Sequence, residues 1–203
     1  MPALHDFIYL ASQSPRRRQL LDQIGVRHEL LLPGPHEDAE ALEAERPGEL
    51  PADYVERVTL AKLAAARARH AARGLPPAPI LCSDTTVAVG RRILGKPADA
   101  ADARRVLGLL SGRTHRVLTA VALAHGRRRE MRVNVSHVDV APLPAAWIED
   151  YIASGDPFGK AGSYAIQSAM AGWIRRIAGS HSGIMGLPLY ETAQLLRQAR
   201  VRF

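Results

Sequence analysis

An apolar run from Phe7 to Ala11 stops at Ser12-Gln13-Ser14, and Pro15 follows where a helix prefers to begin. The run reads as a buried strand, and Ser14 as the N-cap of the helix. Leu20, Leu21 and Ile24 recur at helical spacing, and Gly25 closes the segment. Arg16, Arg17 and Arg18 crowd the first helical turn, where the dipole is already positive. Free backbone N–H groups, serine hydroxyls and guanidinium forks together suit an anion such as phosphate. A solvated basic helix start is the plainer alternative.

The rest of the chain keeps mixing the two periodicities. Strands are expected over 28–32, 80–89, 92–94, 114–124, 132–140 and 174–178, with helices over 51–73, 99–110 and 144–154 and a last one from Pro188. Residues 125–129 read as a hairpin turn, and Gly179-Ser-His-Ser-Gly183 as a flexible polar loop. This order gives the α/β class with a mixed sheet. In the segment 80–89, Asp84 interrupts an apolar strand, a placement that is expensive without a cation or donors nearby. The hairpin that follows can return Lys96 towards Asp84, either as a structural ion pair or as a phosphate-reading lysine beside a catalytic carboxylate. Phe158 to Ser168 is either a bulged core strand or a loop that lets backbone approach a ligand, with Lys160 and Gln167 supplying a charge and an amide.

Charge narrows the partners. Lys and Arg number 27 against 20 Asp and Glu, a net +7 that suits a polyanion, either nucleic acid or a phosphorylated small molecule. Of those 27, 24 are arginine and only Lys62, Lys96 and Lys160 are lysine, so these three mark places needing a compact point charge. Lys62 has Val58 four residues before it and Ala65 and Ala66 after it, which sets it on an inward-looking stripe. The single Cys82 leaves no internal disulfide and no multi-cysteine metal site within one chain. No apolar run reaches the ~20 residues of a membrane span, and no charged leader precedes an apolar core, so the expected location is cytoplasmic. Aromatic residues make up 5%, too few for the stacking platforms of a single-strand binder, and polynucleotide binding is not expected.

Several motifs, taken in order, resemble one family. They are Leu10-Ala-Ser-Gln-Ser-Pro-Arg-Arg17 with Arg18 after it, Tyr54-Val-Glu-Arg57, Ser83-Asp84-Thr85, Ile93-Leu-Gly-Lys-Pro97, Ser111-Gly-Arg-Thr-His115, Lys160-Ala-Gly-Ser-Tyr-Ala-Ile-Gln167 and Gly186-Leu-Pro-Leu189. Together they resemble the Maf family of nucleoside triphosphate pyrophosphatases over nearly the whole chain. The resemblance implies one domain over residues 1–203, with an elongated mixed sheet flanked by helices and two lobes around a cleft, as in inosine-triphosphatase-like folds. It implies hydrolysis of a nucleoside triphosphate to the monophosphate and pyrophosphate, with a divalent cation, Mg or Mn, and commonly a homodimer.

Carried onto this chain, the resemblance makes Asp84 the proton acceptor and a metal ligand. Ser12, Arg17, Lys62, Lys96 and Lys160 would hold phosphates, and Arg16, Thr85 and Gln167 would select the substrate. Glu37 or Asp38, in the acidic loop, is the further candidate for the metal. Lys160, Tyr164 and Gln167 are similar to the subgroup acting on dTTP, UTP and modified pyrimidine triphosphates in a house-cleaning role. The alternatives are a 7-methyl-GTP pyrophosphatase, or a nucleotide- or nucleic-acid-binding regulator of cell division without turnover. Departures from the family pattern are Gly159 where many relatives carry an acid, Ser168 where many carry Gly, and the Glu37-Asp38 order.

Overall fold

The computed structural model describes residues 4–38 and 41–203. The expected first unit is present: strand β1 (Ile8–Leu10), helix α1 (Pro15–Gln23) and strand β2 (His28–Leu30), with Gly25 at φ +72° releasing the chain from the helix. β2 lies parallel to β1, as a short strand–helix–strand crossover requires. Helix α2 (Pro51–Ala72) has Pro51 in its first turn and an alanine-rich body, and it turns Tyr54, Val55, Val58, Thr59, Leu63 and Ala66 inward.

α2 leads into β3 (Ile80–Val89), which runs parallel to β1 on the side away from β2. A turn at Gly90 returns the chain as β4 (Arg92–Leu94), antiparallel to the end of β3. Helix α3 (Ala100–Leu110) is capped by Asp99, whose carboxylate accepts from the Asp102 N–H at 2.8 Å. The long strands β5 (Thr114–His125) and β6 (Arg128–Val140) form a hairpin through a two-residue turn, tighter than the five-residue turn expected. After α4 (Ala145–Ala153) comes β7 (Ile174–Ala178), then α5 (His181–Met185) and α6 (Leu189–Gln198). Residues 179–183 are thus not a flexible loop. Ser180 Oγ accepts from the Gly183 N–H at 2.9 Å and starts a helical turn.

The result is a single α/β domain whose seven-stranded mixed sheet has the order β2-β1-β3-β5-β6-β7, with β4 also on β3. The core divides along β3. Its first half packs with Ile8, Leu10, Leu21 and Leu31, and its last half with Leu94, Val106, Leu107 and Tyr151. β1 pairs with Ile80 and Leu81 only, and β4 with Val87 to Val89 only. Between them Cys82 to Thr86 has β5 alone as a strand partner, and the sheet carries a notch on that side. Among the described residues no helix is long and apolar enough to cross a membrane.

Candidate active site

The notch opens into a cleft of about 540 Å³. Asp84, 6% exposed, and Thr85 form part of its floor. The α1 end contributes Ser12, Arg16 and Arg17; α2 contributes Tyr54 and Lys62; the β4 turn contributes Lys96; and the later loop contributes Lys160, Tyr164 and Gln167. The residues expected from the sequence to hold phosphate, select the base and do the chemistry therefore share one cavity, although more than 150 residues separate the first from the last.

The charges within it are ordered. Lys62 Nζ donates to Asp84 Oδ1 at 2.6 Å and to Glu43 Oε1 at 2.7 Å, so the inward stripe of α2 does aim its lysine at a carboxylate. Lys96 comes back along the hairpin but meets Glu43 Oε2 at 2.9 Å; Asp84 takes Lys62 as its partner instead. Burial opposes ionisation of Glu43, yet Lys62 and Lys96 outweigh it and hold its carboxyl below the usual range. Glu43 is the residue that the sequence reading missed. Glu37 is not among the residues lining the cleft; it accepts from Arg69 Nη2 at 2.6 Å and from the Gly34 N–H at 3.0 Å, and Arg69 holds its carboxyl down to about 2. Asp38 is exposed and accepts from the Ala41 N–H. Neither Glu37 nor Asp38, the residues expected as the acidic-loop metal ligand, is among the residues lining the cleft. The acid that reaches Asp84's surroundings is Glu43.

The arginines of α1 divide by position. Arg17 is anchored: its Nε donates to Gly186 O at 2.7 Å and its Nη1 to Ser12 Oγ at 3.1 Å. Burial lowers its pKa, against the pull of the Asp84 carboxylate. Gly186, at φ +119°, adopts a backbone that a side chain would strain, and a Cβ there would come within 3.5 Å of Arg17 Nε. Arg16 leans on Met185 O at 3.4 Å, and Arg18 is exposed outside the cleft lining. Ser14 sits at the helix N-cap but makes no capping bond; its N–H donates to Ser12 Oγ at 3.2 Å. Thr85 is held by Thr119, whose Oγ1 lies 3.1 Å from its own.

The segment 158–168 is a loop with a 3-10 turn at Ala161–Ser163, not a bulged strand. Gly162, at φ +71°, rests so closely on β3 that a Cβ would lie 2.8 Å from the Val87 methyls, and its N–H donates to Gly95 O at 3.1 Å. Lys160 is tied to Asp156, Nζ to Oδ1 3.2 Å, and Asp156 also accepts from the Tyr151 hydroxyl, which meets Ser168 Oγ at 3.1 Å. Gln167 is exposed to the cleft. Behind the loop, Tyr164 Oη lies 2.7 Å from His115 Nε2, and burial pushes His115 down to about 4. Burial likewise raises the Cys82 thiol to about 12, which leaves it inert.

Glu43 and Asp84 are hard oxygen donors facing one lysine ammonium, the donor type that a divalent cation would take. Among the described residues no three His, Cys, Asp or Glu side chains gather to cage a metal without such help.

A match to the Maf-like protein family covers residues 7–199. The chain belongs to that family. Curated relatives agree along the full length. The "dTTP/UTP pyrophosphatase" of Polaromonas sp. (strain JS666 / ATCC BAA-500) is 62% identical over 202 residues, covering 100% of each chain. The protein of the same name from Albidiferax ferrireducens is 61% identical over 96% of this chain and 97% of its own. That from Burkholderia pseudomallei (strain 1710b) is 61% identical over 98% of this chain and 96% of its own. The solved structure of the Staphylococcus aureus Ham1 protein overlaps 66% of this Maf-like chain and 71% of its own, at 13% identity and a TM-score of 0.38.

Proposed function

We propose that this Maf-like protein hydrolyses dTTP and UTP to the nucleoside monophosphate and pyrophosphate. The observation that carries the proposal is the Asp84 carboxylate in the notch of the sheet, with Glu43, Lys62 and Lys96 around it. The names of relatives about 60% identical over their full length support the same substrate pair.

In this reading a water attacks the α-phosphorus in line, and the bond to the α–β bridging oxygen breaks. Asp84 accepts the water's proton and fixes the direction of attack. Lys96, Lys160 and Arg17 meet the phosphate charge, with Arg17 already oriented by Gly186 and Ser12. Lys62 and Lys96 together offset the charges of Glu43 and Asp84 before substrate arrives, and Lys62 turns to the phosphates afterwards. Glu43 and Asp84 would hold a divalent cation, which when bound neutralises triphosphate charge. Gln167 offers one donor and one acceptor to a pyrimidine edge, and Arg16 and Thr85 border the same space.

Product analysis tests the proposal, using purified protein, Mg²⁺ and then Mn²⁺, and a panel of dTTP, UTP, CTP, GTP, ITP and 7-methyl-GTP. Monophosphate plus pyrophosphate from dTTP and UTP is the expected result. Turnover of 7-methyl-GTP instead keeps the reaction and overturns the base reading. No turnover with either metal overturns the proposal.

A further inference from the structure

The Tyr54-Val-Glu-Arg57 stretch lies at the start of α2, and none of the chemistry above uses it. Tyr54 and Arg57 reach three consecutive backbone carbonyls. Arg57 Nη1 donates to Leu42 O at 3.4 Å, Tyr54 Oη to Glu43 O at 2.9 Å, and Arg57 Nη2 to Ala44 O at 2.9 Å. Arg57 is fixed in turn by a two-pronged pair with Glu49, Nε to Oε1 at 2.5 Å and Nη2 to Oε2 at 2.7 Å. Its guanidinium also lies over the Tyr54 ring, 5.5 Å from the centroid.

Peptide planes are rigid, so holding the carbonyl of one residue and those of both neighbours fixes the direction of its Cα–Cβ bond, from which Lys62 and Lys96 then hold the carboxylate. The residue held is Glu43. Without the grip, an acidic loop would have to order itself each time it presented a carboxylate, and that entropy would be taken from binding. We propose that Tyr54 and Arg57 are positioning residues that preorganise the Glu43 carboxylate for a divalent cation on the triphosphate. This inference rests on the function proposed above.

The test uses the full chain, Mn²⁺ as the probe and a dUTP analogue with nitrogen bridging the α- and β-phosphorus, which resists hydrolysis. Free Mn²⁺ is read by electron paramagnetic resonance. Tyr54→Phe and Arg57→Gln should each raise the Mn²⁺ concentration at half-saturation by about three- to tenfold, with analogue binding in EDTA unchanged. In a Glu43→Gln background the same substitutions should add nothing. Tyr54→Phe removes a single hydroxyl and keeps the test usable should Arg57→Gln unfold. Unchanged half-saturation in the folded variants, or an equal effect with and without Glu43, overturns the positioning role alone. If Glu43→Gln itself leaves Mn²⁺ binding unchanged, the placing of metal at Glu43 fails, and the positioning role fails with it.

Discussion

Lys62 Nζ lies 2.6 Å from Asp84 Oδ1 and joins the inner face of α2 to the middle of β3. The same ammonium holds Glu43, which Lys96 also reaches, so Lys62 bridges two carboxylates in a place where all three of these side chains are less than a third exposed. Lys62→Met leaves those carboxylates facing each other without it. The variant should lose about 1–3 kcal/mol at neutral pH, below the figure for a fully buried pair because solvent still reaches the site. Added Mg²⁺, which replaces the missing positive charge between them, should restore part of the loss. Urea titrations in EDTA and in Mg²⁺ check both. An unchanged midpoint would mean that the ion pairs carry no stability.

Asp84→Asn keeps the shape of the site and its amide can still face Lys62, which retains Glu43. Turnover should fall by about 10²- to 10⁴-fold, the usual range for a lost general base, while nucleotide binding persists. Single-turnover kinetics beside equilibrium binding separate the two effects. Near-normal turnover would remove Asp84 from the proton-accepting role.

Gln167 is exposed to the cleft and contributes no packing that the fold depends on. Gln167→Glu removes its amide donors, so kcat/KM for dTTP and UTP should fall about tenfold or more with an unchanged melting temperature. A substrate panel reads the change, and an unaltered base preference would take this residue out of the selectivity argument.

His115 is 2% exposed, and its Nδ1 is a buried atom with no hydrogen-bond partner among the described residues. Its pKa falls from 6.5 unfolded to about 4 folded. The unfolded chain therefore binds the extra proton between those values, and stability drops as pH is lowered from about 6.5 to about 4. The loss should total about 3 kcal/mol by linkage. Denaturation of wild type and His115→Gln at pH 7 and 4.5 isolates this contribution. Parallel slopes in the two proteins would contradict it.

Much of the site could be read from residue order because it sits on regular elements. Asp84 stands out as a carboxylate in an apolar strand, and Lys62 as a lysine on the wrong side of a helix; periodicity exposes both. Glu43 has no such signal. It is one of several acids between positions 37 and 45, and what distinguishes it is long-range contact: Lys62 and Lys96 on its carboxylate, and Tyr54 on its backbone carbonyl. The fold was similarly legible where hydrophobic spacing is long, as in β3, whose bounds match the expectation residue for residue. It was misread at 179–183, where a serine cap turns a polar segment into helix. It was left open at 158–168, where Gly162 seats a loop that shows no periodicity of either kind.

β3 belongs to β1 at its start and to β4 at its end, and β5 runs beside it almost throughout. A strand held in this way acts as a ruler. Asp84 and Val87, the seat of the loop that carries Gln167, are spaced by three residues of extended chain, on the order of 10 Å. That spacing is set by backbone hydrogen bonds that no loop residue touches. New loops on the same seat could change which base is admitted while the reacting phosphorus keeps its distance from the carboxylate, so selectivity and chemistry can evolve separately.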